Sequence, residues 1–283
     1  MKVVLCGAYG KLGSEILKAL VAKDYEVVAT DMIERHIDGL DTSKVVFKKL
    51  DVTNKESLSG LCSGADVVIS TVGLTGVSAT LTNYDIDYQG NLNILEEAKK
   101  SNVKNFVYIS VIKADQAEDV PMVHAKYLFE EQLKKSGLNY VIHRPTGYFY
   151  DIIKVFKPMI EKGKVNLLGK EDHYCNVIDT IEFGQFIVEH MLDENKTYNV
   201  GGKETYSYRQ IAKMCFEAAH KQPVIKCAPT WLFTILAKLP KNKKNGKSAI
   251  IKFSKFTLSN DLVGDTIAGT NSFKQYIIDS FKE

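Results

Sequence analysis

The chain has 283 residues, of which 45% are hydrophobic and 25% charged, a composition typical of one large domain or of a domain with a small lobe. Its 37 basic and 34 acidic residues leave a formal net charge of +3, which argues against partners such as nucleic acid or a membrane surface. It contains no apolar run of the roughly 18 residues that span a membrane, and its N-terminus is a poor secretory signal, so we expect a cytoplasmic protein.

The first predicted elements are a strand, a glycine-rich turn and a helix, all within residues 1–20. After the short apolar strand, glycines follow at intervals of three, at Gly7, Gly10 and Gly13. Gly7 suits a tight turn, Gly10 lets a pyrophosphate approach the backbone, and Gly13 lets the helix pack on the strand. The start of this helix also offers unpaired N–H groups to phosphates, although glycines that serve packing alone are the alternative. The residues predicted to bind a dinucleotide here are Gly7, Tyr9, Gly10, Lys11, Leu12 and Gly13.

The spacing G-x-x-G-x-x-G resembles the nucleotide-binding turn of the short-chain dehydrogenase/reductase superfamily, especially of its extended and atypical members. The resemblance implies an α/β fold of the Rossmann type, with a doubly wound parallel sheet and a small C-terminal substrate lobe. It also implies a nicotinamide dinucleotide as cofactor and a small molecule as substrate.

The second predicted strand ends at Asp31, about twenty residues past the glycine turn, the distance typical of the acidic residue in such folds. A carboxylate there can accept hydrogen bonds from the adenosine ribose, and it repels a 2′-phosphate. Lys11 and Arg35 argue for the opposite preference, because cations can neutralise that phosphate. We expect NAD rather than NADP, with a capping or turn role for Asp31 as the alternative.

The third and fourth strands, predicted at 45–47 and 65–70, are each followed by residues that the resemblance places at the cofactor. Asp51 and Val52 border the adenine in that superfamily, although the residues after them equally suit a helix cap. Thr71, Val72 and Gly73 correspond to a small-residue loop under the cofactor, with an ordinary turn at a strand end as the alternative.

A long helix is predicted from Asp87 to Lys100, and its first turns resemble a V-D-x-x-G-N-x-N-L-L pattern of the atypical members. Gly90 costs this helix roughly 1 kcal/mol relative to alanine, so we expect it to serve a packing contact. The fifth strand follows at 105–109 and ends at Ser110, at the edge where open parallel sheets bind ligands.

Active members of the superfamily carry a serine after the fifth strand and Tyr-x-x-x-Lys on the next helix. Ser110 and Lys126 match this signature, so the resemblance makes both of them catalytic and cofactor-binding candidates. Met122 stands where the tyrosine is expected, and a thioether has no proton to donate. We therefore expect the usual tyrosine route to be absent. The candidate substitutes for this acid are Tyr127, His124 and Tyr148.

The stretch after Lys126 resembles the NmrA-like atypical group, in which the patterns K-x-x-x-E-x-x-L, S-G-L-x-Y and R-P-x-x-F/Y-F recur. The sixth strand is predicted at 139–144, and Pro145 ends it because proline cannot donate to a sheet. The resemblance places Pro145 and Thr146 beside the nicotinamide. A strand-ending proline followed by a packed aromatic pair is the alternative.

Beyond Tyr150 the alternation of strands and helices weakens. Short strands are predicted at 164–168, 175–178 and 197–200, helices at 179–192, 209–219 and 231–239, and a solvated lysine-rich loop at 241–247. We expect an NAD(P)-binding Rossmann domain over 1–150 and a C-terminal substrate-binding lobe over 151–283, packed together as one unit.

Two functions follow from the resemblance. The first is an NAD(P)-dependent oxidoreductase or epimerase-like enzyme that acts on a small organic substrate, as a monomer or homodimer. The second, which the missing tyrosine favours, is a catalytically silent NmrA-like sensor that binds the dinucleotide to report redox state. The five cysteines are odd in number and form no C-x-x-C pair, so we expect reduced thiols and no metal site.

Overall fold

A parallel β-sheet of eight strands organises the part of the chain that this computed structural model describes, residues 1–241 and 246–282. The strands of that part are β1 (Lys2–Cys6), β2 (Glu26–Asp31), β3 (Val45–Lys49), β4 (Val67–Ser70), β5 (Asn105–Ile109), β6 (Asn139–Pro145), β7 (Val165–Leu168), β8 (Tyr174–Cys175), β9 (Lys196–Gly201), β10 (Tyr206–Ser207), β11 (Ile225–Ala228) and β12 (Thr266–Ile267). The large sheet has the order β12-β9-β6-β5-β4-β1-β2-β3. This is the Rossmann-type, doubly wound order that the sequence predicts.

Helices cover both faces of the large sheet, and others pack together in the C-terminal half. The α-helices of the described part are α1 (Lys11–Ala22), α2 (Asn91–Lys100), α3 (Pro121–Lys134), α4 (Phe149–Glu161), α5 (Thr180–Glu189), α6 (Tyr208–Ala218), α7 (Thr230–Lys238), α8 (Lys247–Leu258) and α9 (Phe273–Ser280). Val3 and Leu5 of β1 pack with α1 and α5 on one face, whereas Val4 and Cys6 pack with α2 and α3 on the other. Because successive strand residues point to opposite faces, a strand covered on both sides is apolar throughout.

A third apolar core lies in the C-terminal half, where Phe156, Phe216 and Phe273 are buried between α4, α6 and α9. The same half also supplies two strands to the large sheet, since β9 pairs with β6 and β12 pairs with β9. The two segments that the sequence separates at residue 150 therefore share one sheet.

Helix α4 shows why sequence patterns weaken in this half. The sequence does not predict α4, or the later helices α8 and α9. In the first half the difference is smaller: the sequence begins the long helix at Asp87, where the structure has a π-helix over Tyr84–Gly90 that continues into α2. The buried residues of α4 do have helical spacing, but Pro158 inside the helix normally breaks one. The buried residues of α4 are Phe149, Ile153, Phe156 and Ile160.

The lysine-rich loop predicted at 241–247 falls mostly on residues 242–245, which lie outside the described residues. Among the helices that are described, none is both long enough and apolar enough to cross a bilayer.

His143 on β6 is fully buried, and neither of its ring nitrogens has a hydrogen-bond partner among the described residues. Its ring stacks on Tyr198, with centroids 5.6 Å apart. Burial, followed by the charge of nearby His190, lowers the pKa of His143 from 6.5 to about 3, while Asp193 acts in the opposite direction. The imidazole is therefore neutral in the folded protein near neutral pH.

We expect the His143→Phe variant to be less sensitive to acid than the natural chain. Below about pH 6.5 the unfolded chain binds a proton that the folded chain refuses until about pH 3, so stability falls as the pH drops through this window. For one such group the free energy of unfolding falls by about 2 kcal/mol between pH 7 and pH 5. Urea midpoints at both pH values measure the difference. The exposed His36→Phe variant is the control, and an unchanged pH dependence in His143→Phe would contradict the prediction.

Candidate functional site

The candidate site lies at the carboxyl ends of β1 and β4, the neighbouring strands at which the order of the sheet reverses. Open parallel sheets bind ligands in the crevice that forms at such a point. Thr71, directly after β4, ties the two strand ends together, because its hydroxyl donates toward the carbonyl oxygens of Cys6 and Gly7, each 3.1 Å away.

The three glycines of the first turn meet different steric demands. Gly7 has a φ of +83°, which side chains rarely adopt, and a Cβ there would lie 2.4 Å from the Thr71 hydroxyl oxygen. A Cβ on Gly13 would lie 2.0 Å from the carbonyl oxygen of Gly7, so α1 packs on the turn only without a side chain. A Cβ on Gly10 would make one ordinary contact, at 3.4 Å. Gly7 and Gly13 therefore shape the turn, while Gly10 leaves its outer side open.

The first turn of α1 fits a pyrophosphate. The helix begins at Lys11 with Gly10 at its N-cap position, no side chain caps it, and its first turn contains no acidic residue. The first N–H groups of a helix lack partners within it and carry a partial positive charge. Leu12 is buried in the apolar core, so its contribution to a phosphate site is its backbone N–H.

Asp31 is held beside this turn by backbone groups. Its carboxylate accepts the N–H of Tyr9 at 3.1 Å and the N–H of Met32 at 2.8 Å. The ring of Tyr9 meets Phe47 edge-on, and burial followed by the charges of Glu34 and Asp31 raises the pKa of Tyr9. A fixed carboxylate thus ends β2, at the place that the sequence assigns to the adenosine ribose.

Asp51 and Val52 follow β3 and are both held by local contacts. The carboxylate of Asp51 accepts the N–H and the hydroxyl of Thr53, and these bonds lower its pKa. The side chain of Val52 packs against Gly90, where a Cβ would lie 2.7 Å from a Val52 methyl carbon. The packing contact expected for Gly90 is therefore confirmed.

Lys126 lies on α3 with its ammonium group held from three sides. It is 3.1 Å from the carboxylate of Asp87, donates to the carbonyl oxygen of Ile109 at 3.2 Å, and lies 5.3 Å from the centre of the Tyr108 ring. A Cβ on Gly73 would lie 2.7 Å from Asp87 Oδ1 and 3.2 Å from the Lys126 nitrogen. The loop after β4, the end of β5 and α3 therefore meet at this ion pair.

Asp87 is a residue of this site that sequence reasoning missed. Its side chain is buried, and its second carboxylate oxygen accepts the N–H of Leu74 at 3.1 Å and the amide of Asn83 at 3.0 Å. Burial and the charge of Asp87 raise the pKa of Tyr108 well above 10. The sequence signal for Asp87 was its position three residues before Gly90, in the pattern that this chain shares with atypical members. That pattern assigns no role to the residue.

The hydroxyl group of Ser110 has a hydrogen-bond partner within the protein. Its hydroxyl donates to Glu130, which is fully buried and also accepts two hydrogen bonds from the guanidinium of Arg144, at 3.0 and 2.6 Å. Its backbone N–H donates to the carbonyl oxygen of His143 at 2.8 Å. The Ser110 side chain thus joins an ion-pair cluster that fixes α3 to the sheet.

Met122 lies one turn before Lys126 on α3, at the position where the superfamily has its tyrosine. The three residues that could substitute for this acid contact side chains elsewhere in the protein. His124 Nδ1 is 3.1 Å from the hydroxyl of Tyr84, and Tyr127 is close enough to Arg144 to interact with its charge. The Tyr148 ring stacks on Tyr150, and burial raises its pKa well above 10. The Tyr148 hydroxyl therefore stays protonated at neutral pH.

Pro145 ends β6, as the sequence predicts, and its carbonyl oxygen accepts the N–H of Ile112 at 3.1 Å. Thr146 is buried, and its hydroxyl donates to the carbonyl oxygen of Asn176 at 2.8 Å. This bond links the end of β6 to the C-terminal half. Across the described residues, no group of three or more His, Cys, Asp or Glu side chains is arranged to hold a metal ion.

Two known proteins with related sequences are similar to most of this chain. The photosystem II assembly factor Ycf39 of Cyanophora paradoxa is 24% identical over 221 residues, which cover 76% of this chain and 68% of that protein. The chloroplastic divinyl chlorophyllide a 8-vinyl-reductase of Arabidopsis thaliana is 27% identical over 224 residues, which cover 71% of this chain and 52% of that protein.

Solved structures show the same fold. The NADPH-dependent quinone oxidoreductase of Escherichia coli, solved with NADPH, has 16% identity and a TM-score of 0.75, over 99% of this chain and all of that chain. Triphenylmethane reductase of Citrobacter sp. has 17% identity and a TM-score of 0.76, over the full length of both chains. A family model described as NAD(P)H-binding matches residues 7–164, more than half of the chain. The chain therefore belongs to this NAD(P)H-binding family, and its cofactor is NAD(P).

Proposed function

We propose that the chain is an NAD(P)H-dependent reductase of the atypical short-chain dehydrogenase/reductase type that acts on a small organic acceptor. The bound dinucleotide supplies a hydride, and the protein positions it. The observation that supports this proposal is the meeting of Lys126 with Gly73 and the end of β5, at the same sheet edge as the glycine turn. In this proposal Lys126 binds the nicotinamide ribose, and Asp87 is a positioning residue that holds Lys126.

The methionine at position 122 restricts the acceptors. A positioned acid typically contributes 10²–10⁴-fold to a proton-transfer step, and a thioether cannot act as one. Hydride addition to an activated C=C or C=N bond needs less help from an acid than carbonyl reduction, because water can supply the proton afterwards. The proposed acceptors are therefore enone-like or imine-like molecules, together with quinone-like ones, because hydride transfer to a quinone leaves a hydroquinone anion that its aromatic ring stabilises until water protonates it.

We propose NAD as the preferred cofactor because Asp31 is fixed by two backbone N–H groups and presents its charge at the end of β2. Lys11 and Arg35 are both exposed, and an exposed cation contributes less than a fixed neighbouring anion. We further propose that residues 1–150 bind the dinucleotide and that residues 151–283 form the substrate lobe, which is joined to them through β9 and β12.

A second candidate function is a dinucleotide-binding sensor without catalysis. Two observations favour it: Met122 replaces the acid, and Asp87 neutralises the charge of Lys126. The similarity to an assembly factor agrees with such a role. A sensor of this kind would bind its partner differently with NAD⁺ and with NADH.

Stopped-flow mixing of the NADH-loaded protein with quinones, enones and nucleotide sugars distinguishes the two functions. A reductase oxidises NADH with at least one acceptor, and the Asp87→Asn/Lys126→Met double variant slows that step about tenfold or more. The double variant is chosen because Lys126→Met alone would leave Asp87 buried and unpaired. Lys135→Met, at an exposed position on the end of α3, is the matched control. Tight NADH binding without oxidation by any acceptor would favour the sensor.

A further inference from the structure

The segment from Ala218 to Asn260 has a charge unlike the rest of the chain. It contains nine lysines and no aspartate, glutamate or arginine, although the whole chain has nearly equal numbers of acidic and basic residues. The remaining sequence is therefore net negative, and the balanced total conceals a local excess of positive charge. The lysines of this segment are Lys221, Lys226, Lys238, Lys241, Lys243, Lys244, Lys247, Lys252 and Lys255.

Helix α7 and the residue after it lie inside this segment and expose an apolar stripe. Trp231, Ile235 and Leu239 are 60%, 50% and 41% exposed. Their spacing of four residues places the three side chains on one side of the helix. The rest of the helix surface has partners, because Ala237, on the opposite side, is buried and Thr234, beside the stripe, accepts a hydrogen bond from Lys255 of α8 at 2.9 Å. Large apolar side chains exposed in a row are a mark of an interaction surface.

Positive charge borders this stripe. Lys238, Lys241 and Lys247 are all exposed in the described part of the segment, and the segment itself holds no carboxylate that could pair with them. Lys243 and Lys244 add to the charge in the sequence but lie outside the described residues. The surface therefore combines exposed apolar side chains with exposed lysines of a segment that contains no acidic residue.

We propose that α7, with the exposed Lys238 and Lys241 at its end, docks this protein on an anionic phospholipid bilayer. An apolar helix face bordered by lysines is typical of helices that lie in the membrane interface. Tryptophan favours the headgroup level, where one side of its ring meets water and the other meets hydrocarbon. Lysines near such a surface are attracted to anionic headgroups and need no shaped pocket.

Other occupants explain the composition less well. Protein–protein interfaces are enriched in arginine and depleted in lysine, whereas this segment has lysine alone. Nucleic-acid sites use arginine at base edges and several aromatic side chains for stacking, whereas α7 exposes one aromatic ring. A lipid surface needs positive charge and apolar area without directional hydrogen bonds, which is what α7 offers.

The docking surface lies near the candidate site. A Cβ on Gly246, just before α8, would lie 2.3 Å from the carbonyl oxygen of Ser78, and Lys252 of α8 donates to the carbonyl oxygen of Asp119, two residues before α3. Docking through α7 would therefore bring the crevice close to a bilayer, in which apolar acceptors dissolve. That consequence rests on the proposed reductase function, whereas docking itself does not.

Trp231 is the only tryptophan in the chain, so its fluorescence reports directly on this surface. The full chain is mixed with vesicles of phosphatidylglycerol and phosphatidylcholine, or of phosphatidylcholine alone, without dinucleotide. We expect co-sedimentation and a blue shift of the emission with the anionic vesicles only, and about tenfold weaker binding in 0.5 M NaCl. Because no dinucleotide is present, the result is independent of whether the protein is a reductase.

The Lys238→Glu/Lys241→Glu variant should lower the vesicle partition coefficient at least tenfold, and Ile235→Ser should reduce the blue shift. Lys99→Glu/Lys100→Glu, which reverses two exposed lysines of α2, is the matched control and should bind like the natural chain. Far-ultraviolet circular dichroism confirms that each variant is folded. Absence of binding, binding without a blue shift, or an equal loss in the control would overturn the proposal. Binding to soluble polyglutamate but not to anionic vesicles would also overturn it, in favour of an acidic protein partner.

Discussion

Replacement of Gly10 by glutamate is expected to raise the Kd for NADH at least 100-fold while the fold is retained. Gly10 has an extended backbone, with φ −71° and ψ 167°, that any residue adopts, and a Cβ there meets its nearest neighbour at 3.4 Å. A glutamate at the N-cap position is also favourable for the helix. Near a pyrophosphate, however, it adds an anion, and two charges 4 Å apart repel by about 4 kcal/mol at a surface-like dielectric. Titration calorimetry with NADH and NAD⁺ measures the change.

Two neighbouring alanine variants separate the effects of bulk, charge and folding. Gly10→Ala adds a methyl group without charge and should weaken binding much less than glutamate does. Gly13→Ala places a carbon 2.0 Å from the carbonyl oxygen of Gly7, so it should lower the unfolding temperature as well as the affinity. Wild-type affinity in a folded Gly10→Glu variant would show that no pyrophosphate lies against this turn.

Replacement of Glu130 by methionine is expected to lower the free energy of unfolding by about 3 kcal/mol or more. Glu130 is fully buried and holds Arg144 through two hydrogen bonds, and the Arg144 side chain is only 12% exposed. Removing one partner of a buried ion pair leaves the other charge desolvated, which typically costs 3–5 kcal/mol. Asp115, whose side chain is about half exposed, lies 3.5 Å from Arg144 and compensates little. Urea denaturation at neutral pH measures the loss.

The Glu130→Met/Arg144→Met variant is the decisive comparison. Because a buried ion pair and a well-packed apolar pair often have similar stability, removing both charges should recover at least half of the loss. Lys135→Met, at the exposed end of the same helix, should change the free energy of unfolding by less than about 0.5 kcal/mol. A double variant as unstable as the single one would mean that packing, and not the stranded charge, explains the loss.

The first 150 residues follow local rules, which is why the sequence predicts their fold and much of the candidate site. The strands are apolar runs, the glycines of the first turn have distinct steric reasons, and Gly90 packs on Val52 as its position in a helix suggests. Pro145 ends its strand for the same reason that proline ends strands generally. Each of these features depends on residues close in sequence or on the covalent properties of one residue.

Contacts between residues that are distant in sequence could not be predicted from such local rules. Asp87 and Lys126 are on different elements, and only the fold brings their charges within 3.1 Å. Ser110 matches a catalytic signature, yet its hydroxyl turns to Glu130 because a buried carboxylate beside Arg144 accepts one more hydrogen bond. A matching residue type at a matching position therefore predicted the place of Ser110 but not its neighbour.

The distribution of charge along the chain was another property that the net charge could not reveal. The net charge of +3 argues against a membrane surface as a partner. That total is the sum of the segment from Ala218 to Asn260, which has lysines but no acidic residue, and of a remainder that is net negative. The fold then decides which of those lysines are exposed beside apolar side chains, as around α7.

The participation of β9 and β12 in the large sheet has a consequence for dissecting the protein. A fragment that stops near residue 150 would leave β6 with an unpaired edge of backbone N–H and C=O groups, where β9 lies in the whole chain. Unprotected edges of this kind recruit other strands and promote aggregation. Exchange of the C-terminal lobes between relatives must therefore carry these two strands along, or graft only the surface loops between them.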